Sequence, residues 1–288
     1  MSTYARRRLL AAVGALLVAG AIVAGLVVAF GGGSDKPAAA SRPVGTETTA
    51  GGQSGTVAPQ LAAHPPRTVE QPTVIQGDGP FWELHGTTVQ RIAPPYRKGR
   101  VALTFDDGPG PFTRQILDEL ESLHARATFF VIGENVKESP GMVRELRDAG
   151  MVIGNHTWTH PNMTKLGFAG QRGQIERTQT IIQATIGQRP RFFRPPTWAW
   201  NKTTARVVAE EGMLGVLFSI DTQDWTLPGV TAIVRSALQA RDGQVIALHD
   251  AGGEREQTVQ ALPLIIKGLR AQGLEVVTLD ELFRKSAG

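Results

Sequence analysis

The sequence predicts an α/β fold in which about seven strand-and-helix units build a parallel sheet curled into a closed or nearly closed barrel, preceded by a transmembrane helix and a flexible linker. Three observations carry this. Apolar, β-branched runs alternate with amphipathic stretches from Val101 to the carboxyl end, the pattern of a parallel sheet flanked by helices. Polar and ionisable residues gather where those runs end, as they do on the loops beyond the strand ends of a barrel. Ahead of all this, an apolar segment behind Arg6, Arg7 and Arg8 stands alone.

That segment runs unbroken from Leu9 to Phe30, with no acidic residue before Asp35. In helical rise it reaches across a hydrocarbon core of roughly 30 Å, longer than the usual apolar part of a signal peptide. Residues 1–30 are therefore expected to form a basic cytoplasmic end and a transmembrane anchor, with a cleaved signal peptide as the alternative. The positive flank stays inside, which places the remainder outside the cell membrane as a single-pass protein, or secreted if the segment is cleaved. Residues 31–74 are rich in Gly, Ala, Thr, Ser, Pro and Gln and show no apolar periodicity. Such a stretch does not repay its ordering entropy and reads as a flexible linker. Residues 75–97, with Phe81, Trp82 and Tyr96, carry enough aromatics to dock as a flap, either packing on the domain or lining a groove.

The domain itself is expected over residues 98–288. Its strand-like runs are Val101 to Phe105, Ala127 to Ile132, Met151 to Gly154, Arg191 to Phe193, Leu214 to Ile220, Val245 to Leu248 and Leu274 to Thr278. Helical patterns lie between them at Phe112 to Leu123, Gly141 to Ala149, Gln171 to Ile186, Asn201 to Glu211, Val230 to Ala240 and Thr258 to Ala271. Gly150, Gly212 and Gly273 each stand between a helix and a strand, where a left-handed cap is cheap. The chain has 288 residues, a net charge of +4 and no cysteine, so disulfides, thiolate ligands and a thiol nucleophile are excluded. No basic stripe with interleaved aromatics is present, so nucleic acid is not an expected partner. Gly108 and Gly110 lie close to prolines and lack a following Lys-Ser or Lys-Thr, which argues against a phosphate cradle.

The chemistry gathers in a few stretches. Val101 to Leu103 lead into Thr104-Phe105-Asp106-Asp107-Gly108-Pro109, a buried strand emptying into a pocket with two carboxylates, one suited to grip a cation and the other to take a proton. His156 and His160 are four apart and would share a face on one helical turn. With a carboxylate they make the three-ligand set of a catalytic divalent ion. The alternative has His156 capping the preceding strand and His160 bonding a local carbonyl. In Arg194-Pro195-Pro196-Thr197-Trp198 two prolines stiffen the loop, so that the Thr197 N–H is held in a fixed direction as an oxyanion donor. Arg194 either acidifies a nearby carboxylate or serves a structural ion pair, and Trp198 and Trp200 either stack on a sugar ring or cover the barrel rim. Asp221 or Asp224, ahead of Trp225, is expected to bond His249 and raise its pKa so that it acts as an acid. Asp250 reads as a loop-capping or ion-pair residue. The sum proposes a metal-dependent hydrolase.

Thr104 to Pro109, His156 to His160, Arg194-Pro195-Pro196, Asp221 to Trp225 and Leu248-His249-Asp250 together resemble the polysaccharide deacetylase family, also called the NodB-homology or carbohydrate esterase family 4 domain. The resemblance covers roughly Lys98 to Phe283 and implies a distorted (β/α)7 barrel of the NodB-homology type. It implies that Asp107, His156 and His160 hold Zn2+ or another divalent cation such as Co2+, Mn2+ or Ni2+. It makes Asp106 the base, Arg194 the residue that orients it, His249 the general acid tuned by Asp224, and Trp225 the wall of the acyl pocket. Thr197 stands where the family usually has an aromatic residue, a change that a backbone donor survives but that alters the groove. Ala247, two before His249, replaces a common leucine, which widens the acetyl pocket. Pro195, Pro196 and Trp198 are expected beside Trp225 and Ala247 on the substrate side. The implied reaction removes acetyl groups from N-acetylglucosamine residues of peptidoglycan or chitin-like oligomers. O-deacetylation of acetylated xylan or another glycan, and a glycan-binding wall protein without turnover, are the alternatives. The implied partners are the glycan and, through the amino-terminal helix, the membrane; a monomer is expected.

Overall fold

The computed structural model describes residues 84–85, 88–89 and 99–283. In chain order these form β1 (Leu84–His85), β2 (Thr88–Val89), β3 (Arg100–Asp106), α1 (Thr113–Ser122), β4 (Thr128–Val131), α2 (Gly133–Glu138), α3 (Pro140–Asp148), β5 (Val152–Asn155), α4 (Phe168–Ile186) and β6 (Phe192–Phe193). There follow α5 (Lys202–Glu210), β7 (Leu214–Val216), β8 (Ile220–Asp221), α6 (Val230–Ala237), β9 (Val245–His249), α7 (Glu256–Ala271), β10 (Glu275–Val277) and α8 (Leu279–Leu282). The strands make one sheet in the order β1-β2-β7-β6-β5-β4-β3-β9-β8, with β10 also paired to β3. Every pairing is parallel except β1 with β2. Gly150, Gly212 and Gly273 end helices with φ of 78°, 69° and 78°, the left-handed stop that only glycine adopts without cost.

Alternation along the strands separates two cores. Leu103 and Phe105 of β3 and Ile246 and Leu248 of β9 face outward, where they pack with Ile116 and Leu120 of α1, Ile233 of α6 and Leu262 and Ile266 of α7. Each such side chain contributes about 1.5–3 kcal/mol relative to exposure. Ala102, Phe130, Phe192, Val216, Val245 and Val277 face inward and are plugged by Leu279 and Leu282 of α8. The same period of two puts Thr104 and Asp106 on the inner face above that plug.

The expected distorted barrel is made specific, and one other part of the expected architecture is corrected. The sheet is a curled half-barrel: β7 pairs outward with β2, and β8 pairs with β9, although only Leu217, Phe218 and Ser219 separate β7 from β8. The chain bends there, and the carbonyls of Val216 and Leu217 accept from Arg194. The expected transmembrane helix, with the membrane partner and the single-pass placement that rest on it, is corrected as far as the structure is described: no helix among the described residues is long and apolar enough to cross a membrane. Even the 19-residue α4 carries Gln171, Arg172, Glu176 and Arg177. The segments read as anchor, residues 1–30, and linker, residues 31–74, lie outside the described residues, as does the expected flap apart from β1 and β2.

Candidate active site

Asp106 closes β3 and is 1% exposed, and the side chain that meets it, Arg194, is wholly buried. The guanidinium donates to Asp106 Oδ1 at 2.8 Å, to Thr104 Oγ1 at 2.8 Å, and to the carbonyls of Val216 at 3.1 Å and Leu217 at 2.9 Å. It also lies over the Phe130 ring at 4.3 Å. Burial pulls the guanidinium below its ordinary pKa, and the charge and hydrogen bond of Asp106 oppose that. A buried pair of this kind is tolerable because every nitrogen of the guanidinium has an acceptor.

Asp107 leaves the strand in a left-handed conformation, φ 79°. Its Oδ1 is buried without a hydrogen-bond partner, and Nε2 of His156 and of His160 lie 3.4 and 3.2 Å from it. Ligand atoms of the three residues lie within 4.8 Å of one another. Nδ1 of His156 is 2.8 Å from the Arg194 carbonyl, so with Nδ1–H donating there, Nε2 is left as a ligand lone pair, the usual outer arrangement of a metal-bound histidine. Burial would raise the Asp107 carboxyl, but the two imidazoles hold it well below the usual carboxylate range. An orphaned carboxylate oxygen between two imidazoles, one of them held by a backbone carbonyl, fits a divalent cation such as Zn2+.

The two histidines do not share a helical turn. They lie on the loop after β5, where Thr157 and His160 have φ of 71° and 56°. Side chains from elsewhere hold that loop. Gln174 of α4 accepts from the N–H groups of Trp158 and Thr159, both at 2.9 Å, and donates to Thr159 Oγ1 at 3.0 Å. Asn155 Oδ1 accepts from the Thr157 N–H, and Thr157 Oγ1 from the His160 N–H. The Trp158 indole donates to Glu134 at 3.2 Å and packs beneath Arg177, whose guanidinium lies 4.2 Å from the ring. Gln174 escaped the sequence reading because nothing in a glutamine on an amphipathic helix marks it as a loop brace.

His249 stands opposite Asp106 across the β3–β9 ladder. Of the two acids expected to compete for it, Asp224 takes the place: its Oδ1 lies 2.7 Å from His249 Nδ1, and its Oδ2 accepts from the His249 N–H at 2.9 Å and from Thr258 Oγ1 at 2.7 Å. Thr258 is a further residue that sequence reasoning missed. Burial alone would lower the imidazole, but the hydrogen bond and charge of Asp224, with Asp106 and Asp107 behind it, push it up to about 8. Asp250 is wholly buried. It accepts from the Thr113 hydroxyl, and Thr113 in turn accepts from the Gly110 N–H at 2.7 Å. Burial, with the charges of Asp107 and Asp106 and against the Thr113 hydrogen bond, pushes Asp250 up to about 7. A Cβ at Gly108 would overlap its carboxylate, and one at Gly252 would stand 2.3 Å from Asp107 Oδ2. Both positions require glycine because the backbone passes against a carboxylate.

Of the remaining predicted residues, Pro195 and Pro196 are buried and Thr197 is exposed, with φ of 52°. Trp198 is half-buried and meets the Phe218 ring edge-on, centroids 4.8 Å apart. Trp225 is 48% exposed beside Asp224, whereas Ala247 is wholly buried between Thr104 and Asp221 in the ladder.

A family model described as polysaccharide deacetylase matches residues 93–216. A peptidoglycan-N-acetylglucosamine deacetylase of Bacillus cereus is 39% identical over 195 residues, which cover 67% of this chain and 71% of that protein. The peptidoglycan-N-acetylglucosamine deacetylase PgdA of Listeria monocytogenes is 37% identical over 186 residues, 64% of this chain but only 39% of that protein; the chain thus spans about two fifths of that relative's length. Among solved structures, a family 4 carbohydrate esterase from Streptomyces lividans, in complex with acetate, superposes with a TM-score of 0.60 at 40% identity and covers 62% of this chain and 91% of its own.

Proposed function

The chain belongs to the polysaccharide deacetylase family, and on that premise we infer that it is a metal-dependent N-deacetylase of N-acetylglucosamine residues in peptidoglycan or chitin-like oligomers. The observation that carries the reading is the side-by-side placement of two units: the Asp107, His156 and His160 cluster, and the Asp106 and His249 pair facing each other across adjacent strands.

Asp107, His156 and His160 would hold the cation. When bound, it supplies Lewis acidity toward the acyl carbonyl and the attacking water. Asp106, held by Arg194, is oriented to take a proton from that water. The Thr197 N–H is the donor assigned to the developing oxyanion. His249, raised to about 8, carries a proton at neutral pH and gives it to the leaving nitrogen, while Asp224 stabilises the imidazolium before that transfer. Trp225, Trp198, Pro195, Pro196 and Ala247 are assigned to the walls that receive the acyl group and the sugar. No covalent acyl-enzyme is required.

The test is acetate release together with free-amine appearance on peptidoglycan and on chitin oligomers, using metal-stripped protein before and after reconstitution with zinc. Both products should appear only with zinc. Asp106→Asn should lower kcat by about 10²–10⁴-fold, the scale of a lost general base, while calorimetry shows zinc still bound. A folded, zinc-loaded protein that releases no acetate from either polymer would refute the reading.

A further inference from the structure

Asp221 is a carboxylate on the inner face of the sheet for which the mechanism above has no task. It stands opposite Ala247, while Thr104 and Asp106 stand opposite Ala247 and His249 on the other side of β9. Opposed residues and alternate residues share a face of a sheet, so Asp221, Ala247, His249, Thr104 and Asp106 all look into the curled sheet. Their neighbours Ile220 and Ile246 pack in the outer core, as that alternation requires. Asp221 is half-buried. One oxygen accepts from the Gln223 N–H at 2.9 Å; the other has no partner among the described residues, and no cation is paired with the group there. Asp224 already uses both its oxygens around His249 and Thr258, so Asp221 is not needed to brace the acid. Burial raises its carboxyl above the ordinary value against the Gln223 hydrogen bond and the charge of His249, with Asp224 and Asp106 adding to the rise. The group is therefore within the electrostatic reach of both catalytic residues. Ala247, paired with Asp221 and two residues before His249 on β9, has only a methyl side chain there.

We propose that Asp221 is the acceptor for the leaving nitrogen, bonding first the amide N–H of the substrate and then the ammonium of the product, and that it thereby favours N-acetyl over O-acetyl substrates. The proposal rests on the N-deacetylase reading above. In the reaction the carbonyl carbon gains a bond to the water oxygen and loses its bond to nitrogen. One water proton passes to Asp106, and the His249 proton passes to the nitrogen. Asp221 makes and breaks no covalent bond. A sugar amine gains a further proton from water at neutral pH and is then a cation with N–H donors directed at a half-buried anion. A sugar hydroxyl released from an ester remains neutral and gains far less from the same carboxylate.

The experiment compares the zinc-loaded full chain with its Asp221→Asn variant, which keeps an acceptor oxygen for the Gln223 N–H. On N-acetylglucosamine oligomers kcat/KM should fall about ten- to hundredfold, the worth of one charge-assisted hydrogen bond, while hydrolysis of an O-acetylated xylo-oligosaccharide is unchanged. In calorimetry a fully deacetylated glucosamine oligomer should bind the variant more weakly by a similar factor, and the N-acetylated oligomer should lose less. Equal losses on amide and ester, or unchanged binding of the glucosamine oligomer, would overturn the proposal. If wild-type protein released no acetate from amides, the functional reading would fall, and the binding comparison would still judge Asp221. Should Asp221→Asn not fold, Asp221→Ser carries the same comparisons.

Discussion

Asp106 ends a strand and Asp107 begins a loop, and the two halves of the site they head are held by different means. On the strand side, Asp106 and His249 are opposed residues of one ladder, and their partners Arg194 and Asp224 are buried. Position there follows from register, so a one-residue slip of either strand would turn its side chain into the outer core. On the loop side, Asp107, Thr157 and His160 all stand in left-handed backbone, and the cluster keeps its shape through Gln174, Asn155 and the Trp158 indole. The Asp106 and His249 pair thus draws its geometry from the sheet, whereas the Asp107, His156 and His160 cluster draws its own from side chains that hold a loop against its local preference. This contrast separates what damage each half tolerates: loss on the strand side removes both fold stability and chemistry, and loss on the loop side removes cation affinity first.

The largest effect expected is from Arg194→Ala. It leaves Asp106 buried without its counter-charge and the Val216 and Leu217 carbonyls without their donor. Urea unfolding should show a loss of about 3–5 kcal/mol, the range for breaking a buried pair from one side, together with loss of turnover. A variant that kept wild-type stability would show that the ladder alone holds this half.

Next in size is Gln174→Ala, which touches neither the ligands nor the outer core. Zinc affinity should fall about 10–100-fold, as for other residues that support metal ligands indirectly, with the unfolding midpoint of the metal-free protein little changed. Zinc affinity equal to wild type would mean that the loop holds its left-handed residues without this brace, and the contrast between the halves would dissolve.

The smallest effect is a displacement along the pH axis. With His249 raised to about 8, its acid function should fade as pH rises through that value. Removing the Asp224 charge leaves burial, which lowers the imidazole, opposed only by Asp106 and Asp107, so the alkaline limb of kcat should move to lower pH in Asp224→Asn. The same group links stability to pH in the metal-free protein. A histidine raised from 6.5 to about 8 on folding stabilises fully below 6.5, and that contribution disappears as pH rises through about 8. Wild-type protein should lose stability across this window, and Asp224→Asn should lose less. Identical limbs in the two proteins would show that Asp224 orients His249 without tuning it.

Much of the scaffold was legible in the residues because its signals are local. Val101 to Phe105 and Val245 to Leu248 mark strands by composition, and β3 and β9 follow them closely. Gly150, Gly212 and Gly273 mark helix ends through a conformation that other residues avoid. Other features are invisible in a window of sequence. Helix α2 and the early start of α4 at Phe168 were not anticipated, because their apolar faces are set by what packs on them. The spacing of His156 and His160 suggested a shared helical face, yet their convergence comes from two left-handed residues on a loop. Gln174, Thr258 and Thr113 act on residues far away in the chain, and a polar residue on a helix does not disclose its partner. The seam at Leu217 to Ser219 was equally hidden, since the residues are those of an ordinary strand and the bend becomes stable only when Arg194 satisfies the freed carbonyls.

By itself, then, the sequence determined which residues could handle a proton or a cation, and that strands would carry them to one end of an α/β sheet, because residue chemistry and periodicity are local properties. The tertiary structure alone decided that Asp224 and not Asp221 holds His249, that Arg194 lies buried across the seam, and that the sheet opens between β7 and β8. Those outcomes depend on which polar groups meet once separate elements have packed, and that pairing is settled by the low-dielectric interior, where an unmatched charge costs more than the bend or the loop conformation needed to match it.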